Sequence, residues 1–428
     1  MIVKNAAKTL RGCLASVAGV VSQMVVADTG SDDGTPDLAR ASGAEVFHFP
    51  WQDDFSQARN AAIQAVATDW VLVMDDDEEL APEGRNKIAS LLTRAAIGGY
   101  TVTQRNHIPV SFGSGGHAAA VKPGGLGAPP RNAARGYADF ASCRLFRRHP
   151  AIRYAGRVHE QIEPQIRGLD LKIAPADVVI HHFGHLCSPA KLHSKNEFYR
   201  KLGRLKVQDS PNDPQAWIEL GLQEYEQFKN YTAGIACFQE ALALDPTYST
   251  VPYLSLANLY VEIRAEGLAL DLLSQVPIKG RAAGVKEDIC GDAFHNLGLL
   301  KKARVAYLRA QRILPEDERI ASKLGLTEVR LGLRETGIAR LTRSLKRNPA
   351  LFETHDRLIK AYIVANMLPQ AAEAAERLAT ELPNAATILR AASIRAHMKQ
   401  SQAAADFVMR GLEQFPHDAK LLQARAQS

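Results

Sequence analysis

Trp70-Val-Leu-Val-Met-Asp75-Asp76-Asp77-Glu78-Glu79 is the stretch on which the reading of this chain turns. A short aliphatic run reads as a buried strand, and five consecutive acids stand at its carboxyl end. No lysine or arginine occurs from Asn60 to Gly84, so nothing close in sequence neutralises them. Carboxylates this crowded either raise their pKa or recruit a cation. An oxygen-only cluster suits a hard divalent ion, Mg²⁺ or Mn²⁺, shared with substrate phosphates. The competing reading is a solvated helix N-terminus, where the macrodipole favours acids.

Outward from this strand, Met24–Ala27 and Glu45–Phe49 also read as strands, with helices over Thr35–Ser42 and Asp53–Val66 between them and Asp53 as N-cap. Strand–helix alternation predicts an α/β domain with a mainly parallel sheet, which binds ligands at the carboxyl ends of its strands. Asp28 and Asp75 both fall there. Asp28-Thr-Gly30-Ser-Asp-Asp-Gly34-Thr closes one strand and opens a helix, with glycines that let backbone approach a ligand. Read alone, it favours a capped strand-to-helix turn. Residues 107–136, rich in Gly, Ala and Pro, read as a flexible surface loop, either an active-site lid or disordered. Strand character resumes over Tyr137–Arg147, Ile152–Ile162 and Asp177–Ile180, and a helix is expected over Ser188–Val207.

The chain of 428 residues changes period after about Pro211. Prolines at 246, 277, 315, 349, 383 and 416 recur at intervals of 31, 38, 34, 34 and 33. A period near 34 closed by proline is the tetratricopeptide helix–turn–helix pattern. Gly291, Gly298, Ala303, Tyr307 and Ala310 before Pro315 fit one unit without a shift. Residues 211–428 therefore predict an all-α solenoid of about six units, whose concave face suits a protein partner.

Composition narrows the class. Hydrophobic residues make up 46% and charged residues 23%, which is ordinary for globular proteins. No stretch is apolar enough to span a bilayer, so at most peripheral membrane association is expected. A mildly apolar Cys13–Val21 run after early lysines faintly resembles a signal peptide, but no cleavage site follows. The five cysteines are scattered without Cys-x-x-Cys pairs, which fits a reducing cytoplasm. The net charge of +6 suggests a nucleic-acid partner until it is divided by position. From Asp28 to Glu83 there are fourteen acids against two arginines, and from Arg131 to Lys172 nine basic residues against four acids. The Arg144–Arg157 run lacks interleaved stacking aromatics apart from Phe146 and Tyr154, so a strand pair facing an anionic diphosphate is expected rather than nucleic acid. His181-His182-x-x-His185-x-Cys187 with His193 matches no standard zinc module.

Four linked motifs carry a resemblance. Met1-Ile-Val-Lys4-Asn5, Asp28-Thr-Gly-Ser-x-Asp-Gly-Thr, Phe49-Pro-Trp-Gln-Asp-Asp-Phe-Ser-x-Ala-Arg59-Asn60 and Asp75-x-Asp77-Glu-Glu look like a family 2 glycosyltransferase with the GT-A fold, over roughly residues 1–205. Arg157-Val-His159-Glu160 and His181-His182-Phe-Gly184 agree, and bacterial members joined to tetratricopeptide units form a recognisable subgroup. The resemblance implies inverting, hexosyltransferase-type transfer from a nucleotide-sugar, most often a UDP-sugar, to a glycan, lipid-linked or peptide acceptor. It places Asp75 and Asp77 on the metal and ribose, with His182 completing the metal shell or closing over the diphosphate, and leaves open whether Asp76 also binds. Lys4 and Asp28 contact the donor, and Arg59 supports Asp28 or the phosphates or simply pairs with Asp28. Glu160 is the expected general base, with an ordinary strand carboxylate as the alternative.

Two departures stand out. Ala6 replaces the usual Glu, and Met1 begins inside a strand that is usually longer, so the native strand is expected to begin upstream. The rival function is a tetratricopeptide adaptor with a degenerate, non-catalytic domain. A nucleotidyltransferase is weaker because its Gly-rich phosphate loop is absent.

Overall fold

The computed structural model describes residues 1–108, 122–123, 136–184, 186, 188–349 and 351–427. Most of the expected 107–136 loop, with His185 and Cys187, lies outside them. The chain divides into two compact units, Met1–Pro246 and Thr247–Ser428. The first helical repeat thus belongs to the N-terminal unit, and the division falls later than the expected one near residue 210.

The N-terminal unit opens with β1 (Ile2–Val3), α1 (Leu10–Val17), β2 (Val25–Asp28), α2 (Thr35–Ala41), β3 (Glu45–His48), α3 (Phe55–Gln64) and β4 (Trp70–Leu72). Strands β1, β2 and β3 form a parallel sheet, with Ile2 opposite Ala27 and Val3 opposite Asp28. Its four-residue β2 is buried throughout, as a strand covered on both faces must be. Helix α3 starts one residue later than expected. Asp54 is its N-cap, accepting from the Gln57 amide at 3.1 Å, whereas Asp53 takes a left-handed backbone with φ 53°.

Next come β5 (Glu78–Leu80), α4 (Pro82–Leu91), β6 (Ile97–Ile108), β7 (Lys122–Pro123), β8 (Gly136–Arg147), α5 (Glu163–Arg167), β9 (Lys172–His182) and α6 (Pro189–Asp209). A second sheet runs β4-β8-β6-β9-β5, with β6–β9 parallel and its other neighbours antiparallel. Tyr100, Leu145, Val178 and Ile180 fill its buried face. An apolar cavity of about 520 Å³, lined by Met1, Val25, Val71 and Met74, lies at the facing edges of the two sheets. Over Ile152–Ile162 the expected strand is replaced by a closed loop. Ala155 and Gln161 exchange backbone hydrogen bonds, while Gly156 and His159 turn the chain with φ 102° and 53°.

The unit ends with α7 (Pro214–Leu222), a π-helical turn over Gln223–Gln227, and α8 (Tyr231–Leu244). Gly221 permits close packing of this pair: a Cβ there would stand 2.7 Å from the Phe238 ring.

The C-terminal unit is helical from Val251 to Gln427 among its described residues. The proline period reads correctly in physical terms. Helices ending at Leu244, Ser274, Ile313, Arg347, Glu381 and Gln414 each stop just before a proline of the series. Ala303, Ala310, Ala371 and Ala375 are buried where paired helices meet.

Candidate active site

Strand ends and turns bring the acids together. The chain leaves β4, turns at Asp75 with the Glu78 amide donating to the Asp75 carbonyl at 3.1 Å, and enters β5 rather than a helix. Glu78 is fully buried and its carboxylate accepts from the Asp75 amide (2.8 Å), Gln104 (2.7 Å) and Arg144 (3.0 Å). Burial still pushes it up, to about 7.

Asp75 is held by two guanidinium groups, Arg59 at 2.8 Å on one oxygen and Arg144 at 3.3 Å on the other. Burial opposes its charge, but Arg59 and Arg144 outweigh that and hold it far below the usual carboxylate range. This differs from a carboxylate presented to a metal, since both of its oxygens already serve cations. Asp76 turns the other way and accepts from the Thr9 hydroxyl at 2.6 Å; burial, with Asp77 alongside, pushes it up to about 6.

Asp77 faces His182, whose Nε2 lies 3.4 Å from its carboxylate. The other ring nitrogen of His182 meets the Asn106 side chain, which fixes the ring. Burial disfavours both charges, yet the pairing lowers Asp77 and raises His182. Gly184 lies over this pair: a Cβ there would stand 2.5 Å from Asp77 Oδ2 and 2.6 Å from His182 Nε2. The space between the two ligand-type groups and the backbone is kept open by the absence of a side chain.

Strand alternation separates the two adjacent histidines. His182 faces the site, whereas His181 is buried against His107 at 2.9 Å and aromatic partners Phe183 and Tyr137 surround that pair. His193 packs beside Phe228. Among the described residues no group of three or more His, Cys, Asp or Glu side chains gathers as a ready-made metal cluster.

Arg59 does not pair with Asp28, contrary to one expectation. It bridges Asp75 and Glu160, the latter at 2.5 Å, over the Tyr154 ring, and its Nη1 is buried without a hydrogen-bond partner. Glu160 is consequently turned inward, its side chain 11% exposed, rather than offered to an acceptor. Asp28 instead accepts from the Gly30 and Ser31 amides at 3.2 Å, and His48 lies 3.7 Å away. Burial opposes its charge, but the Ser31 and Gly30 hydrogen bonds prevail and hold it below the usual range. Its second oxygen, Oδ1, is buried and unpartnered.

A cleft of about 1000 Å³ opens beside some of these groups, with Asp28, Glu78 and Glu160 outside its lining. Its walls include Lys4, Arg59, Asp75, Asp76, Asp77 and His182. Trp51, Phe55 and Tyr199 form an aromatic side, with Phe55 and Tyr199 stacked at 5.6 Å. Helix α7 and the π-helical turn supply polar lining through Glu219, Gln223, Glu226 and Gln227.

The basic run does not form the expected diphosphate-facing strand pair. Arg144 serves Asp75 and Glu78, Arg147 covers Trp70, Arg148 and Arg153 bond backbone carbonyls, and Arg157 pairs with Asp209. Sequence reasoning missed Gln104, Asn106 and the α7 wall. Strand β6, which carries the first two, had a signal that could have found it, the Tyr100-Thr-Val-Thr103 run after Gly98-Gly99.

The Glycosyl transferase family 2 profile matches residues 1–151, and a Tetratricopeptide repeat profile matches 214–248. A TPR repeat-containing protein of Synechococcus elongatus is 30% identical over 324 residues, covering 64% of this chain and 73% of that protein. The SPbeta prophage-derived glycosyltransferase SunS of Bacillus subtilis is 24% identical over 227 residues. That match covers 51% of this chain and less than half, 46%, of SunS. The chain is also similar to a solved APC/C hetero-tetramer Cut9–Hcn1, at 16% identity and a TM-score of 0.43, covering 57% of this chain and 48% of that one. The chain belongs to the family 2 glycosyl transferases that carry tetratricopeptide repeats. No helix among the described residues is long and apolar enough to cross a membrane.

Proposed function

We propose that the protein transfers a sugar from a nucleotide-sugar, a UDP-sugar in the first instance, to an acceptor hydroxyl, thiol or amine with inversion at the anomeric carbon. The observation that carries this reading is the Asp77–His182 pair under Gly184, beside a cleft large enough for a nucleotide-sugar. One carboxylate and one imidazole suit Mn²⁺ or Mg²⁺, the remaining positions being left to water and phosphate oxygens. Asp75 lies outside that set here: its place is to hold Arg59 and Arg144 against the site. A bound cation would neutralise the charge that develops on the leaving diphosphate.

The chain's own groups do the rest. Asp28 Oδ1, buried and unpartnered, fits a donor N–H of the nucleoside at the end of β2. Lys4 and the unpartnered Nη1 of Arg59 add positive charge along the cleft for the phosphates. The acceptor atom forms its bond to the anomeric carbon as the carbon–oxygen bond to the diphosphate breaks, and the acceptor's proton passes to a base. The aromatic and polar walls leave room for a glycan, lipid-linked or peptide acceptor, and the repeats offer a surface for a protein partner.

Isothermal titration with UDP and Mn²⁺ tests this reading. Cation-dependent binding that Asp77→Ala abolishes supports it. Absence of UDP and GDP binding in the wild type, with or without Mn²⁺, would favour the adaptor.

A further inference from the structure

Inverting transfer needs a base that reaches the acceptor and is free to accept its proton. Glu160 meets neither condition, since its carboxylate is inward and ion-paired with Arg59. The cleft wall among the described residues includes His159 and Gln161, the residues on either side of Glu160, and not Glu160 itself.

We infer that His159 is the general base, and that Glu160 acts as a positioning residue through Arg59; this rests on the transfer reading above. His159 sits at the tip of the closed 155–161 loop with φ 53°, in the left-handed region that L side chains seldom adopt, His doing so more readily than most. Strain of this kind persists only where surroundings enforce it. Here the loop is locked by the Ala155–Gln161 pair, by the Phe55 amide donating to the Arg157 carbonyl at 2.9 Å, and by Lys206 donating to the Val158 carbonyl at 3.2 Å. The result is an exposed imidazole with no hydrogen-bond or ion-pair partner among the described residues. Its ring lies 6.2 Å from that of Tyr199, whose hydroxyl is held protonated by burial and by the charges of Asp75, Glu160 and Asp77. His159, Tyr199 and the acids Asp75 to Asp77 line the same cleft. Other cleft carboxylates are less suited: Asp76 is bonded to Thr9, Glu219 to Lys206 and Asp77 faces His182, while Glu226 belongs to the π-helical turn. In the step, a ring nitrogen takes the acceptor's proton as the new glycosidic bond forms and the nucleoside diphosphate departs.

Release of UDP from a turned-over UDP-sugar, with water as acceptor, measures this without a known natural acceptor. Gly and Asn both suit φ 53°, so His159→Gly and His159→Asn keep the loop. Both are expected to slow UDP release by about 10²–10⁴-fold while UDP affinity stays within about twofold. Added imidazole is expected to restore release in His159→Gly and not in Asp77→Ala. A rate within about threefold of wild type, a parallel loss of UDP affinity, or failure of imidazole to rescue would overturn the assignment. Absence of any UDP binding by the wild type would instead remove the reading on which it rests.

Discussion

Arg59 joins the acid cluster to the 155–161 loop, so its removal should be felt well beyond one ion pair. The Arg59 and Glu160 side chains are each 11% exposed, leaving little water to screen them, while Asp75 is 28% exposed and keeps Arg144. Removing one partner of a buried pair costs about 3–5 kcal/mol because the other charge is left unmatched. Since Arg144 still serves Asp75, the loss for Arg59→Met falls at the lower end, about 3 kcal/mol, most of it from Glu160. If the cause is the stranded Glu160, Glu160→Gln should relieve it. The double variant should then recover about 2 kcal/mol relative to the sum of the single changes. Urea denaturation followed by tryptophan fluorescence is the assay, because Trp51, Trp70 and Trp217 all lie in the Met1–Pro246 unit and the signal ignores the rest of the chain. A loss below about 1 kcal/mol, or effects additive to within about 0.5 kcal/mol, would refute the bridging role.

Gly184→Ala should weaken Mn²⁺-dependent UDP binding by about 10- to 100-fold with little change in the fluorescence transition, since it crowds Asp77 and His182 rather than the core; unchanged binding in titration calorimetry would exclude the cradle. Two glycines of the repeats should respond with opposite sign. A Cβ at Gly291 would stand 2.4 Å from the buried Tyr307 ring, so overpacking of about 1–3 kcal/mol exceeds a helix-propensity gain of about 1 kcal/mol. Gly267 has open space, so Gly267→Ala should stabilise by about 0.5–1 kcal/mol, both changes being read from circular dichroism. Lys323 donates to Asp288 at 2.9 Å and to Asp292 at 2.6 Å, all three at most 27% exposed. Lys323→Met should cost about 2 kcal/mol near neutral pH, after allowance for that partial exposure. Burial already raises Asp288 above its unfolded value, so protonation favours the folded state. The deficit should therefore be full above the folded pKa and shrink as pH falls toward about 4. A deficit equal at both ends of that range in urea denaturation would refute the cluster's role.

The parts legible in sequence were those written as period or as a terminal cluster. Proline spacing marked the ends of the repeat helices because a proline cannot continue one, wherever the helix packs. The acid run marked a strand end because five carboxylates cannot share a buried strand. The failures have one cause, which is that sequence shows which charges exist and not which of them meet. Arg59 and Glu160 are 101 positions apart, and Arg144 and Asp75 are 69 apart, so each looked free to serve a ligand. Folding satisfies such groups first with each other, because a buried unmatched charge is costlier than any single ligand contact.

That principle also says where binding groups should be sought after folding: among polar atoms that the fold buries or holds in place yet leaves unmatched. Asp28 Oδ1, Arg59 Nη1 and the His159 ring fit that description, and the first two lie at residues already marked in sequence for the donor. His159 could not have been distinguished from Glu160 by residue type, since a carboxylate is as good a base on paper. What separates them is the left-handed turn after Gly156, which points one side chain into the cleft and its neighbour onto Arg59. Backbone conformation at a single residue thus decides which of two adjacent candidates meets the acceptor. A His159–Glu160 exchange of positions should not preserve UDP release, because the site reads placement and not composition.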